Sequence, residues 1–91
     1  MILRVTRGRF DAAKYEQIER GLREQWVPGV KQMPGFRALQ LGVDRDAGTF
    51  VAGSAWDSPE QSEALRATRT PFESLGMRYE GTDIYEVVAQ A

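Results

Sequence analysis

MPGFRALQLGVDRDAGTFVAGSAWDSP, residues 33–59, decides the fold. Its Pro34-Gly35 pair breaks whatever helix precedes it, and Phe36 to Val43 then reads as a strand. Asp44-Arg45-Asp46-Ala47-Gly48 has the turn composition of a hairpin loop ending in Gly, and Thr49 to Trp56 returns as the partner strand. Strand alternation puts Phe50, Ala52, Ser54 and Trp56 on one face, with Val51, Gly53 and Ala55 on the other. Gly53 marks a bulge or a place where another backbone or a ligand comes close. Ser58-Pro59-Glu60-Gln61 starts the next helix: Ser caps, Pro takes the first position, and Gln61 can close a capping box.

Working outward toward the N-terminus, Met1 to Thr6 is a β-favouring run broken by Arg4, with Gly8 placed to turn the chain. Asp11 is a good N-cap, and Phe10 before it can staple onto Tyr15. Tyr15, Ile18, Leu22 and Trp26 make one helical apolar stripe, with Glu–Arg pairs at i,i+4 on the other faces. Gly21 weakens that helix by about 1 kcal/mol against Ala, which reads as a close neighbour or a tolerated defect. The helix is expected to stop or kink before Pro28.

In the other direction, Ala64, Leu65 and Thr68 supply a thin stripe as far as Pro71, expected to end the second helix. Phe72, Leu75 and Met77 add a short apolar segment, read as one more helical turn. Gly81 reads as a break, and Thr82 to Ala89 as the last strand.

The composition excludes more than it proposes. Among 91 residues there is no Cys, no His and no Asn. That removes disulfides, thiolate and imidazole metal sites, a thiol nucleophile, an imidazole base and N-linked glycans. Asp44 and Asp46 are too close and too turn-like for a metal site, so no metal is expected. A net charge of −1 argues against nucleic-acid binding. No run approaches the roughly 20 apolar residues that span a bilayer, and no leader pattern precedes the first strand. A cytoplasmic protein is the expectation. A chain this short buries little of its own surface, so burial against a partner chain is the expected remedy.

The order β-α-β-β-α-β is the α+β, ferredoxin-like arrangement: a four-stranded antiparallel sheet with both helices on one face. Leu39, Leu41 and Val43 oppose Phe36 and Ala38, and Tyr85 and Val87 oppose Ile84 and Val88, so both faces of the sheet carry apolar residues. The second face is therefore expected to be covered by a second copy, sheet to sheet. The RNA-recognition fold shares this order, but Gly48-Thr49-Phe50-Val51-Ala52-Gly53 lacks its basic and paired-aromatic pattern.

Pro34-Gly35-Phe36 after a long first helix, and Ala55-Trp56-Asp57-Ser58-Pro59-Glu60 leading into the second, resemble the antibiotic biosynthesis monooxygenase (ABM) domain family of dimeric α/β barrels. The resemblance covers nearly the whole chain and implies a single such domain over residues 1–91. It implies a homodimer with a pocket in each subunit between sheet and helices. The implied activity is a cofactor-independent monooxygenase acting on an aromatic or quinol-type small molecule, in which the substrate's own carbanion meets O₂. A non-catalytic ligand-binding or accessory protein is the alternative. Haem-degrading members use an Asn, a Trp and a His; the first and last are absent here, and Leu65 stands at the position aligned with the Trp. No cofactor is implied.

Arg4 is the most informative polar residue, because a charge inside an apolar strand needs a carboxylate or a ligand anion. Parity places Glu86, Ser54 and Gln40 on its face, so Arg4 reads either as an ion-pair partner of Glu86 in the interface or as a clamp for an enolate or carboxylate. In the second case Glu86 is the candidate base and Tyr79 or Tyr85 a donor to a developing oxyanion. Trp26, Phe36, Phe50, Trp56, Phe72 and Met77, with Ser54, are the candidate pocket wall, each with ordinary core packing as its other reading. Arg66, Arg69 and Arg78 read as a solvated face.

Overall fold

The hairpin forms as its sequence dictates in the computed structural model, which describes residues 1–91. Its strands are β2 (Phe36–Asp44) and β3 (Thr49–Trp56). Gly48 takes a positive φ of 69° to close the turn, and Asp44 Oδ1 accepts from Ala47 N, a turn role for that carboxylate. Around it lie β1 (Ile2–Arg9), a helix α1 over residues 12–30, a second helical segment α2 over residues 59–74, and β4 (Arg78–Glu86). The four strands form one antiparallel sheet in the order β2-β3-β1-β4. This is the ferredoxin-like α+β fold.

Both helix starts follow the sequence. Asp11 caps the first turn through Ala13 N, and the Phe10 and Tyr15 rings lie 5.6 Å apart. Ser58 Oγ accepts from Gln61 N, and Ser58 Oγ also donates to Gln61 Oε1, so the Gln61 side chain meets the serine hydroxyl. Gly35 is needed just before β2: its φ is +81°, and a Cβ there would fall 2.0 Å from Gln61 Oε1.

Neither helix stops at its proline. In α1 a π-helical turn, Leu22–Trp26, shifts the hydrogen-bond frame immediately ahead of Pro28, where a regular helix would require a donor that proline lacks. The helix then runs on to Val30, which is buried. In α2, Pro71 opens a fresh turn, Thr70–Ser74, after a 3₁₀ stretch, Glu63–Thr68. Gly21 does have a close neighbour: an added Cβ would sit 3.2 Å from the Phe72 ring.

Two glycines read as breaks lie inside strands. At Gly8 an added Cβ would collide with the Arg78 carbonyl and the Phe50 ring, and a bulge in the β1–β4 pairing falls there. Gly81 leaves room for the Arg7 guanidinium, which reaches Asp83 at 2.6 Å. β4 therefore starts at Arg78 and ends at Glu86, earlier at both ends than its composition suggested.

A second bulge, between Phe36 and Ala38, changes the parity of β2. Phe36 pairs with Trp56 and joins Leu39, Leu41 and Val43 on the helix side of the sheet. Gln40 pairs with Gly53 and points the other way, so it does not share a face with Arg4. Gly53 itself sits in regular pairing with nothing within 4 Å of an added Cβ, on the side that no helix covers.

The core lies between sheet and helices in two clusters. Phe10, Ile18, Phe50, Phe72 and Met77 form one, and Val30, Trp56 and Leu65 the other, with Trp26 packed against both. Leu3, Val5, Ala38, Val51, Ala55 and Tyr85 line the opposite, uncovered face, bordered by the Arg7–Asp83 ion pair. No helix is long and apolar enough to cross a membrane.

Candidate functional site

Between α1 and the β2 side of the sheet runs a groove of about 240 Å³, walled by Tyr15, Ile18, Leu22, Trp26 and Val27 from the helix and by Leu39, Leu41, Val43 and Phe50 from the sheet. Met77 closes its floor, and Glu19 and Arg23 stand on its wall as an ion pair at 3.0 Å. The helical stripe meets the pleated face here because both present apolar side chains toward the same layer. The π-helical turn supplies Leu22, Arg23 and Trp26 to this wall. Such turns re-aim side chains within an otherwise regular helix.

Behind the groove lies a smaller chamber of about 30 Å³ that shares Leu22, Trp26, Leu39, Leu41, Phe50 and Met77 with it. Ala52 and Leu65 continue the apolar wall, and the polar groups on it are Arg4, Thr6, Ser54, Thr68, Arg69 and Tyr79. Trp26 stands between the two spaces, its indole Nε1 donating to Thr68 Oγ1 at 2.9 Å and its ring edge-on to Phe72.

Arg4 is the buried charge on the chamber wall. Its residue is 1 % exposed, and one nitrogen, Nη1, donates to Ser62 Oγ at 3.1 Å and to Glu63 Oε1 at 3.3 Å. Its Nε and Nη2 are buried without any protein partner. Glu63 is half-exposed and bonds Arg66 at 2.6 Å. Arg66 first, then Arg4, hold its carboxyl below the usual range.

Arg69 lies over the Tyr79 ring at 4.4 Å and donates from Nη2 to Thr82 Oγ1. Burial lowers its pKa, helped by the neighbouring charges of Arg66 and Arg4. Burial also pushes the Tyr79 phenol up to about 12. Tyr79 is thus a protonated donor at neutral pH, not a base.

That shift carries a stability consequence. The folded state holds the Tyr79 proton up to about 12, whereas an unfolded tyrosine releases it near 10. Stability from this group is complete below pH 10 and falls as pH rises toward 12. Urea denaturation should therefore show Tyr79→Phe gaining on wild type between pH 8 and pH 11; a constant difference between the two proteins would refute the assignment.

The residues singled out from sequence divide three ways. Trp26, Phe50 and Met77 line both spaces, and Ser54 and Tyr79 line the chamber with Arg4. Phe36, Trp56 and Phe72 belong to the core: Trp56 is fully buried, edge-on to Phe36 at 5.6 Å, with its Nε1 donating to Ser54 Oγ. Glu86 and Tyr85 lie elsewhere. Register pairs Glu86 with Ile2 and Arg4 with Ile84, so the expected Arg4–Glu86 pair does not form and Glu63 of α2 takes its place. Arg4 faces the helices, not an interface. Tyr85 projects from the uncovered sheet face, half-exposed.

Sequence reading missed Arg69, Glu63, Ser62 and Thr68. Arg69 is only partly solvated: where α2 breaks at this residue, its guanidinium lies over the Tyr79 ring. The Thr68-Arg69-Thr70-Pro71 run, a 3₁₀ end before a proline, was the available signal.

No family model matches the sequence, and no curated protein is detectably similar to it. Solved structures do match. An antibiotic biosynthesis monooxygenase aligns with a TM-score of 0.77 at 21% identity, over 98% of this chain and 100% of that one. SnoaB, a cofactor-independent oxygenase from Streptomyces nogalater, aligns at 0.69 and 15% identity over 98% and 94%. The ActVA-Orf6 monooxygenase of Streptomyces coelicolor, in complex with nanaomycin D, aligns at 0.70 and 14% identity over 99% and 90%. The chain therefore has the fold of the antibiotic biosynthesis monooxygenases. At these identities the likeness concerns the fold.

Proposed function

We propose that this chain binds a small aromatic or quinol-type molecule in the groove and oxygenates it without a cofactor. The observation that carries the reading is the apolar groove backed by a buried guanidinium edge with two unpartnered nitrogens. A fold shared with monooxygenases, among them the cofactor-independent oxygenase SnoaB, supports the same chemistry.

For an anthrone-type substrate the atoms balance simply. The ring methylene loses a proton to water, with Glu19 the carboxylate on the groove wall. The carbanion gives electrons to O₂ and takes up one oxygen atom. The second leaves as water once the carbon loses its other hydrogen, and a quinone carbonyl remains. Each turnover consumes one O₂ and one substrate. The protein's part is desolvation by the apolar walls and anchoring of the substrate's oxygen-bearing end by Arg4. An oxygen electrode with anthrone and a carboxylated anthrone tests this: uptake above the spontaneous rate supports it, and none with either removes it.

One observation favours a second reading. The chamber offers no free carboxylate, since Glu63 is held by two arginines and Tyr79 stays protonated. A non-catalytic ligand-binding protein would bind the same aromatics and leave oxygen uptake at the spontaneous rate.

The working unit in this proposal is a homodimer joined through the uncovered sheet face. Its apolar residues and the open space above Gly53 support that arrangement. Sedimentation at micromolar concentration should give twice the chain mass, and Val51→Lys, at a position half-exposed in one chain, should give the single mass. A monomeric wild type would contradict it.

A further inference from the structure

We infer that the ligand carries a carboxylate, which the chamber binds across the Nε–Nη2 edge of Arg4 while an apolar aromatic body lies in the groove. This rests on the ligand-binding reading above and specifies which end of the molecule goes where.

The two free nitrogens are the observation. Nε and Nη2 are neighbours on one edge of the planar guanidinium, and Nη1 alone carries the bonds to Ser62 and Glu63. Two parallel N–H donors match the two oxygens of a carboxylate. A single hydroxyl or carbonyl oxygen meets both only through two bent, shared hydrogen bonds and brings no opposite charge.

The chamber's 30 Å³ holds about two water-sized atoms, so a carboxylate head enters as the side chains around the fully covered Arg4 edge give way. The groove, at 240 Å³, lies below the roughly 300–1,000 Å³ of drug-sized sites, which limits the body to a few fused rings.

Charge agrees as well. Arg4 and Arg69 both line the chamber, and Arg66 stands close enough to depress Arg69. Against these three cations the nearby carboxylates are Glu63, shared between Arg4 and Arg66, and Glu73, which acts on Arg69 and Tyr79 through its field alone. The chamber is left with a positive excess on its buried side. Thr6, Ser54, Thr68 and Tyr79 add only neutral groups. The reacting carbon of such a ligand would lie in the apolar groove, away from the guanidinium.

Isothermal titration with 2-naphthoate, its neutral isostere 2-naphthamide and the single-oxygen 2-naphthol tests the assignment. Wild type should bind naphthoate at least about ten-fold more tightly than either neutral ligand. Arg4→Met should abolish the preference and keep the neutral ligands bound, and Arg69→Gln should reduce it. If Arg4→Met does not fold, the wild-type ratio and Arg69→Gln decide. Equal binding of naphthoate and naphthamide, tighter binding of naphthol, or a preference intact in both variants overturns the carboxylate while the groove stands as a ligand site. Binding of none of the three overturns the groove as a ligand site, and the inference with it.

Discussion

Trp56→Ala is expected to leave the chain largely unfolded at room temperature, or to lower its melting point more than any other single truncation. Trp56 is fully buried and joins Val30 at the end of α1 to Leu65 in α2. It also packs edge-on to Phe36 and satisfies its indole N–H on Ser54. Truncating a buried tryptophan costs about 3–5 kcal/mol. Whole-domain stability is about 5–15 kcal/mol, and a 91-residue chain lies toward the lower end. A urea titration followed by circular dichroism measures the loss. A shift under about 1 kcal/mol would mean that the second cluster is not structural.

Arg4→Met should do the opposite: stability unchanged or higher, with binding of a carboxylate ligand and oxygen uptake with a carboxylated substrate down at least about ten-fold. The native guanidinium is 1 % exposed with two nitrogens unpaired, a desolvation cost that methionine of similar length does not incur. Losing one partner of a buried pair usually destabilises, but here the remaining carboxylate is half-exposed and still held by Arg66. Ser62 keeps its bond to the Pro59 carbonyl. A protein retains such a cost where function uses the group. A large fall in melting temperature with undiminished binding would make Arg4 a structural residue and sink the site.

How far the sequence led depends on which kind of signal was in play. The hairpin, both caps, the helical stripe and the order of elements along the chain rest on local signals, and all were readable from turn chemistry and periodicity. β2 parity was not: a bulge at Phe36–Ala38 leaves no local mark, yet it moves Phe36 to the helix face and Gln40 off it. The glycines misled for a related reason. Gly8 and Gly81 are small for their neighbours, Phe50 and Arg7, which are distant in sequence. Arg4 was recognisable as a charge in need of a partner. That the partner is Glu63, with an arginine edge left over, depends on how α2 breaks at Arg69 and crosses the sheet. Trp56 against Trp26 makes the same point: both are large aromatics near helix ends, and only tertiary packing sends one to the core and the other to the partition between groove and chamber.

Isotope labelling shows whether groove and chamber together form an oxygenation site. Wild type and Arg4→Met are incubated with a carboxylated anthrone under dioxygen enriched in the heavy isotope, and the quinone is analysed by mass spectrometry. Wild type is expected to form the quinone rapidly with one heavy oxygen per molecule, and Arg4→Met to form it only at the buffer rate. Quinone formed no faster than in buffer, or formed at the same rate by both proteins, would contradict it.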